Sequence, residues 1–224
     1  YDVSASQKRM YIVSQLNEEG IGYNVPRAMI VEGKLDKDLL ENTINKLIER
    51  HESLRTSFQV IDNKLVQRVH DKVNFRIEYI EDANENNIKN NISKFIRPFD
   101  LSKAPLIRVG LIKIKEDKNV LVIDMHHIIS DGVSIGIIFR EISSIYNGEE
   151  LEDLSIQYKD FSAWHNEYLC SNNIRKQENY WVNEFKGELP VLDMPTDYVR
   201  PAEQSFEGDN IRFNIGEEML NSLK

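Results

Sequence analysis

A single cysteine, Cys170, in 224 residues leaves no internal disulfide to form, so a packed core has to hold the fold and a reducing cytoplasm is the expected compartment. The chain also lacks a charged-then-apolar leader and any long apolar run, which speaks against a secreted or membrane-spanning protein. Positive charge is scarce: 28 Lys and Arg face 37 Asp and Glu, a net charge of -9. That balance disfavours a nucleic-acid backbone or an anionic membrane as the main partner. Proline is sparse too, at six residues, yet Pro190, Pro195 and Pro201 fall in one stretch, "PVLDMPTDYVRPAEQSFEGD", and mark a linker over 190–208. An initiator methionine is missing at Tyr1. The closing "GEEMLNSLK" reads as the opening of another helix, so the expectation is a piece of a longer chain, with residues 1–189 forming one lobe and 209–224 starting the next.

What is present suits a globular domain, with 41% hydrophobic and 29% charged residues. Helical periodicity predicts helices over Ser6–Glu18, after Asp36, over 84–97, over "VSIGIIFREISSIYNG" up to Gly148, over "YKDFSAWHNEYLC" and over "IRKQENYWVNEF". In the second of these, Leu39, Leu40, Thr43, Ile44, Leu47 and Ile48 are expected on one buried face, with Asp36 as N-cap. Strands are predicted at Arg27–Val31, "TSFQVI" and "KLVQRVH" around an Asp62-Asn63 hairpin turn, "FRIEYI", "LIRVGLIKIK" and "NVLVIDMHH". The last is almost continuously apolar, as a central strand would be. Strands interleaved with helices give an α/β fold, a mixed β-sheet flanked by helices in an α+β sandwich. Trp164 and Tyr168, at helical spacing, are expected in the core.

The central strand leaves the sheet at "MHHIISDGVS", a strand end where a scaffold commonly presents functional side chains. Successive strand residues point to opposite faces, so His126 and His127 should diverge and not share one metal ion, and no other His or Cys lies nearby to complete a set of ligands. A hydrogen-bonded histidine without chemistry is the plain reading of either residue alone. Asp131 and Gly132, in the turn before a helix, add a second possibility. Asp131 suits a cap or a buried ion pair, and Gly132 allows close approach of backbone to a ligand. A histidine at a cleft together with a backbone N–H at a helix start makes a base with an oxyanion donor.

"MHHIISDGVS" resembles the HHxxxDG motif of nonribosomal peptide synthetase condensation domains, a motif shared more loosely with chloramphenicol acetyltransferase. "SASQKRMYIV", "ERHESLRTSF" and "YKDFSAWHNEY" match further motifs of that family in the same order, and "PFDLSKAPLIRVGLI" and "MPTDYVRP" are similar as well. The resemblance covers the whole chain but only the first, N-terminal lobe of a two-lobed, V-shaped unit with a chloramphenicol acetyltransferase-like fold.

The resemblance implies peptide-bond formation in antibiotic biosynthesis. The α-amine of an aminoacyl thioester on a downstream peptidyl carrier protein attacks an aminoacyl or peptidyl thioester on an upstream one. Both substrates ride on phosphopantetheine arms through a tunnel between the lobes, with no cofactor bound directly and no metal. It implies that His127 stands at the tunnel centre, that His126 points into the lobe and supports the loop, and that Gly132 leaves its N–H near the reacting carbonyl. Asp131 is then structural, paired with Arg55 or with an arginine of the second lobe. An α-amine has a pKa of about 7.7–8.0 and histidine about 6.5, so positioning with proton removal is a sufficient task for His127. The motif offers no nucleophile beyond Ser130, which favours direct transfer. "DGVSIGIIF" lacks the tryptophan expected of an epimerising relative, and the two histidines exclude a cyclising one. A stand-alone acyltransferase on a soluble amine or alcohol and a carrier-docking module without catalysis remain as alternatives.

Overall fold

The computed structural model describes residues 1–16, 20–81, 85–199, 202, 211 and 213–223. They fall into two compact units, Tyr1–Glu184 and Phe185–Lys224. The first opens with α1 (Ala5–Leu16), whose Met10 and Tyr11 lie partly buried on the core. The expected end of this helix at Glu18 lies outside the described residues. Strand β1 (Arg27–Glu32) leads to α2 (Lys37–Arg50), where the Asp36 carboxylate accepts the Leu39 N–H at 3.0 Å and so satisfies one free amide of the first turn. Leu40, Thr43, Ile44, Leu47 and Ile48 are buried as the spacing predicts. Leu39 is not, at 40% exposed, because it stands on the shoulder of the stripe.

Strands β2 (Thr56–Ile61) and β3 (Lys64–Val69) form a separate two-stranded sheet. Their two-residue turn puts Asp62 and Asn63 at φ 51° and 61°, left-handed conformations that these residue types tolerate best after glycine. Next come β4 (Glu78–Glu81) and α3 (Ile88–Phe95), whose expected start at Asn84 lies outside the described residues. The long hairpin β5 (Ile107–Lys115) and β6 (Lys118–Met125) follows.

The main sheet has the order β1-β6-β5-β4, with only the β4–β5 pair parallel. It is mixed, and β6 is interior, buried from Asn119 to Met125. Alternation sends Leu121, Ile123 and Met125 of β6 into the main core, shared with α2 and α4 (Gly132–Tyr146), and Val120 and Val122 into a smaller core. That second core is closed by Phe95 and Ile92 of α3. Gly110 makes it possible, because a Cβ there would lie 2.7 Å from the Phe95 ring.

α4 is tied to the end of α2 by Arg50 Nε and His51 Nε2, which reach Glu141 Oε2 at 3.2 and 2.6 Å. It ends before Gly148, which takes φ 83°. Helices α5 (Tyr158–Leu169) and α6 (Asn172–Glu184) complete the unit. Trp164 departs from the expected core position. At 58% exposed it stacks on Tyr168 along the outer face of α5, with ring centroids 5.6 Å apart, since the residue of α5 that the core takes up is Ser162. The second unit contains α7 (Glu217–Leu223), the helix read from "GEEMLNSLK". Of the 190–208 linker, residues 200, 201 and 203–208 lie outside the described residues.

Candidate active site

β6 stops at Met125, and residues 127–129 turn away toward α4. The segment Tyr23–Val25 lies antiparallel beside the break, through an isolated bridge from Asn24 to His126, and clamps it. Val25 N–H donates to Met125 O and His127 N–H to Tyr23 O, both at 2.8 Å, so the backbone on either side of His126 is held. The loop is braced from within as well. Ile129 N–H and the Ser130 hydroxyl both reach His126 O, at 3.1 and 3.4 Å. Ser130 is thereby buried in the loop and not offered as a nucleophile.

The two histidines diverge, as strand alternation requires. His126 is 5% exposed, between Tyr23 and Phe99. Its Nδ1 accepts the Ile128 N–H at 3.1 Å, which assigns the proton of the neutral ring to Nε2, 3.5 Å from Ser14 Oγ. Burial, with a smaller contribution from the neighbouring His127, lowers its pKa to about 4, so it is neutral at physiological pH. His127 is half-buried, and its Nδ1 is buried without a hydrogen-bond partner.

Asp131 is the N-cap of α4 and forms no ion pair with an arginine among the described residues. It is exposed, and its Oδ1 accepts Ser134 N–H at 2.8 Å and the Ser134 hydroxyl at 2.6 Å. These bonds, ahead of the His127 charge, lower its pKa. Arg55 does not reach it. Arg55 donates to His70 O at 2.6 Å and pairs with Glu52 at 3.6 Å, joining the 3-10 turn at Glu52–Arg55 to the end of β3. Gly132 opens α4, and a Cβ at that position would meet nothing within 4 Å. Its N–H is one of the first-turn amides with no partner inside the helix, pointed out of the positive end of the helix dipole.

Sequence reasoning passed over Asp124, two residues before His126 on the same face. This carboxylate is fully buried, and its Oδ2 takes Asn24 Nδ2–H at 2.7 Å with Arg108 Nη1 at 3.4 Å. A lone acid in an otherwise apolar strand was the available signal, since buried carboxylates need partners. Ser57 and His70, 2.8 Å apart, resemble a nucleophile and base, but Ser57, on β2, is fully buried. Among the described residues, no three His, Cys, Asp or Glu side chains converge as a metal site.

The mixed sheet has an interior strand that delivers a clamped histidine to a helix N-terminus. The chain belongs to the condensation-domain family, whose model, described as "Condensation domain", matches residues 1–224. Gramicidin S synthase 2 of Brevibacillus brevis is 51% identical over 223 residues, and surfactin synthase subunit 2 of Bacillus subtilis (strain 168) is 46% identical over 224. Both matches take in the whole of this chain, which spans only 5% and 6% of those relatives. Among solved structures, the X-domain in complex with OxyB from teicoplanin biosynthesis superposes with a TM-score of 0.80 at 26% identity, over 90% of this chain and 46% of that one. The starter condensation domain of rhizomide synthetase RzmA gives 0.73 at 19% identity, over 83% and 48%, a likeness of fold.

Proposed function

We propose that this chain is the histidine-bearing lobe of a domain that forms peptide bonds between carrier-borne thioesters in nonribosomal peptide synthesis. The observation that carries the reading is His127: its backbone is fixed by Tyr23, its Nδ1 is buried and unpartnered, and it adjoins the α4 N-terminus. In the proposed reaction the neutral α-amine of the acceptor attacks the donor thioester carbonyl. The tetrahedral intermediate loses one ammonium proton and collapses with release of the pantetheine thiolate. His127 orients the amine and takes that proton, and the thiolate is protonated in turn, so charge and atoms balance. The Gly132 N–H is the donor for the developing oxyanion. His126, neutral and turned inward, keeps the loop in shape. Phosphopantetheine enters as the arm of each substrate, held by upstream and downstream carrier proteins, and the cytoplasm is the compartment.

The test is His127→Ala in the complete two-lobed domain supplied with two charged carrier proteins. Product measured by intact-protein mass spectrometry should fall by roughly 10²–10⁴-fold, the loss typical of an acid–base or positioning group, while the melting temperature holds. Undiminished product would end the assignment. A carrier-docking lobe without chemistry is the second reading, favoured by the fact that a relative of the same fold was solved in complex with another protein. It requires carrier binding with no product from the wild-type domain.

A further inference from the structure

Asp124 is placed at a cost. Its Oδ1 is buried with no partner, and an apolar side chain in an interior strand would avoid the desolvation of a carboxylate. What the carboxylate does is visible in its contacts. Oδ2 fixes Asn24, whose Nδ2 also donates to Arg97 O at 3.0 Å. Asn24 is the middle residue of the segment whose neighbours, Tyr23 and Val25, clamp His127 and Met125. The same oxygen faces Arg108, which donates to Arg97 O and Pro98 O at 2.6 Å each. The Arg108 guanidinium lies 3.6 Å from the centroid of Phe99, whose ring stands edge-on to His126. Asp124 thus reaches the His127 backbone through Asn24 and the His126 ring through Arg108 and Phe99.

We infer that Asp124 is a positioning residue for His127, acting through Asn24 to set the Tyr23–Val25 clamp. The inference rests on the condensation reading only for its consequence in turnover, since the mechanical link stands without it. The charged groups around the carboxylate are Arg108 of β5 and Arg97 after α3, which is itself paired with Glu78 of β4. Burial raises Asp124 to about 6, against the Asn24 hydrogen bond and the two arginines, which lower it. The anchor therefore changes charge within an accessible pH range, and the clamp should register the change.

The experiment is NMR of this chain carrying ¹³C-histidine, with the His127 ring resonance assigned by its loss in His127→Ala and followed from pH 4.5 to 8. The wild type should show a second inflection near pH 6 besides the titration of the ring itself. Asp124→Asn should remove it. Asn24→Ala, which spares the Asp124–Arg108 pair and so guards against a misfolded Asp124 variant, should remove it as well. In the complete domain both variants should lower kcat about 10- to 100-fold with KM unchanged, as for a displaced reacting group. His127 titration curves identical in wild type, Asp124→Asn and Asn24→Ala would overturn the inference whatever the kinetics. A wild-type domain that makes no product would overturn the condensation reading and leave the NMR to decide the link.

Discussion

Two buried groups two residues apart, Asp124 and His126, are displaced from their ordinary pKa values in opposite directions, to about 6 and about 4. Between about pH 4 and 6 the folded chain holds a proton on Asp124 that the unfolded chain releases, so this group's contribution to stability falls as pH rises. His126 does the reverse. Unfolded, it is protonated up to about 6.5; folded, it is neutral above about 4, so its contribution grows as pH rises through the same window and is lost on acidification. In the wild type the two slopes oppose each other. Asp124→Asn removes one of them, so unfolding free energy measured in urea should climb from pH 4 to 6.5 more steeply than in the wild type, by up to about 3 kcal/mol over the interval. Parallel curves for the two proteins would show that Asp124 is ionised alike in both states.

At the scale of elements, Asp131 caps α4, its Oδ1 accepting the Ser134 N–H and the Ser134 hydroxyl. Asp131→Ala should therefore destabilise by about 1 kcal/mol, the usual cost of a lost N-cap, and Asp131→Ser should restore most of it. A loss of 3–5 kcal/mol in chemical denaturation would instead reveal a buried charge pair. The contrast shows which elements could be read in advance. α2 was legible because its apolar residues recur at helical spacing and its cap precedes them. The β2–β3 turn was legible because Asp-Asn between alternating strands has few other uses. Periodicity identified α5 but not its environment: Trp164 lies on an apolar-looking face that the core does not cover. The divergence of the two histidines followed from strand geometry alone. The partners of Asp124 did not, because Asn24 is 100 residues away in sequence and no local pattern joins them.

Across the whole molecule, this chain matches 46–48% of the length of the solved relatives named above. A site shared with a second lobe would be open to water on one side here, weakening its electrostatics and leaving the substrates unaligned. Residues 1–224 incubated with charged donor and acceptor carriers should give no more dipeptidyl product than a blank, while the two-lobed domain reacts. Robust turnover by this chain would favour a self-sufficient acyltransferase acting on a soluble amine or alcohol.

The Tyr23–Val25 clamp also bears on how the site comes into being. β5 and β6 are joined by a two-residue turn and can pair as soon as both exist, whereas the bond from His127 to Tyr23 closes a loop of about a hundred residues. Such a closure costs roughly 4 kcal/mol of chain entropy before any contact offsets it, and contacts this far apart tend to form late. The histidine loop should thus acquire its native shape after the β5–β6 hairpin, when β1 and the Tyr23–Val25 segment just before it dock together onto β6. During synthesis on the ribosome, a nascent chain would carry the motif in full well before it carried a working site.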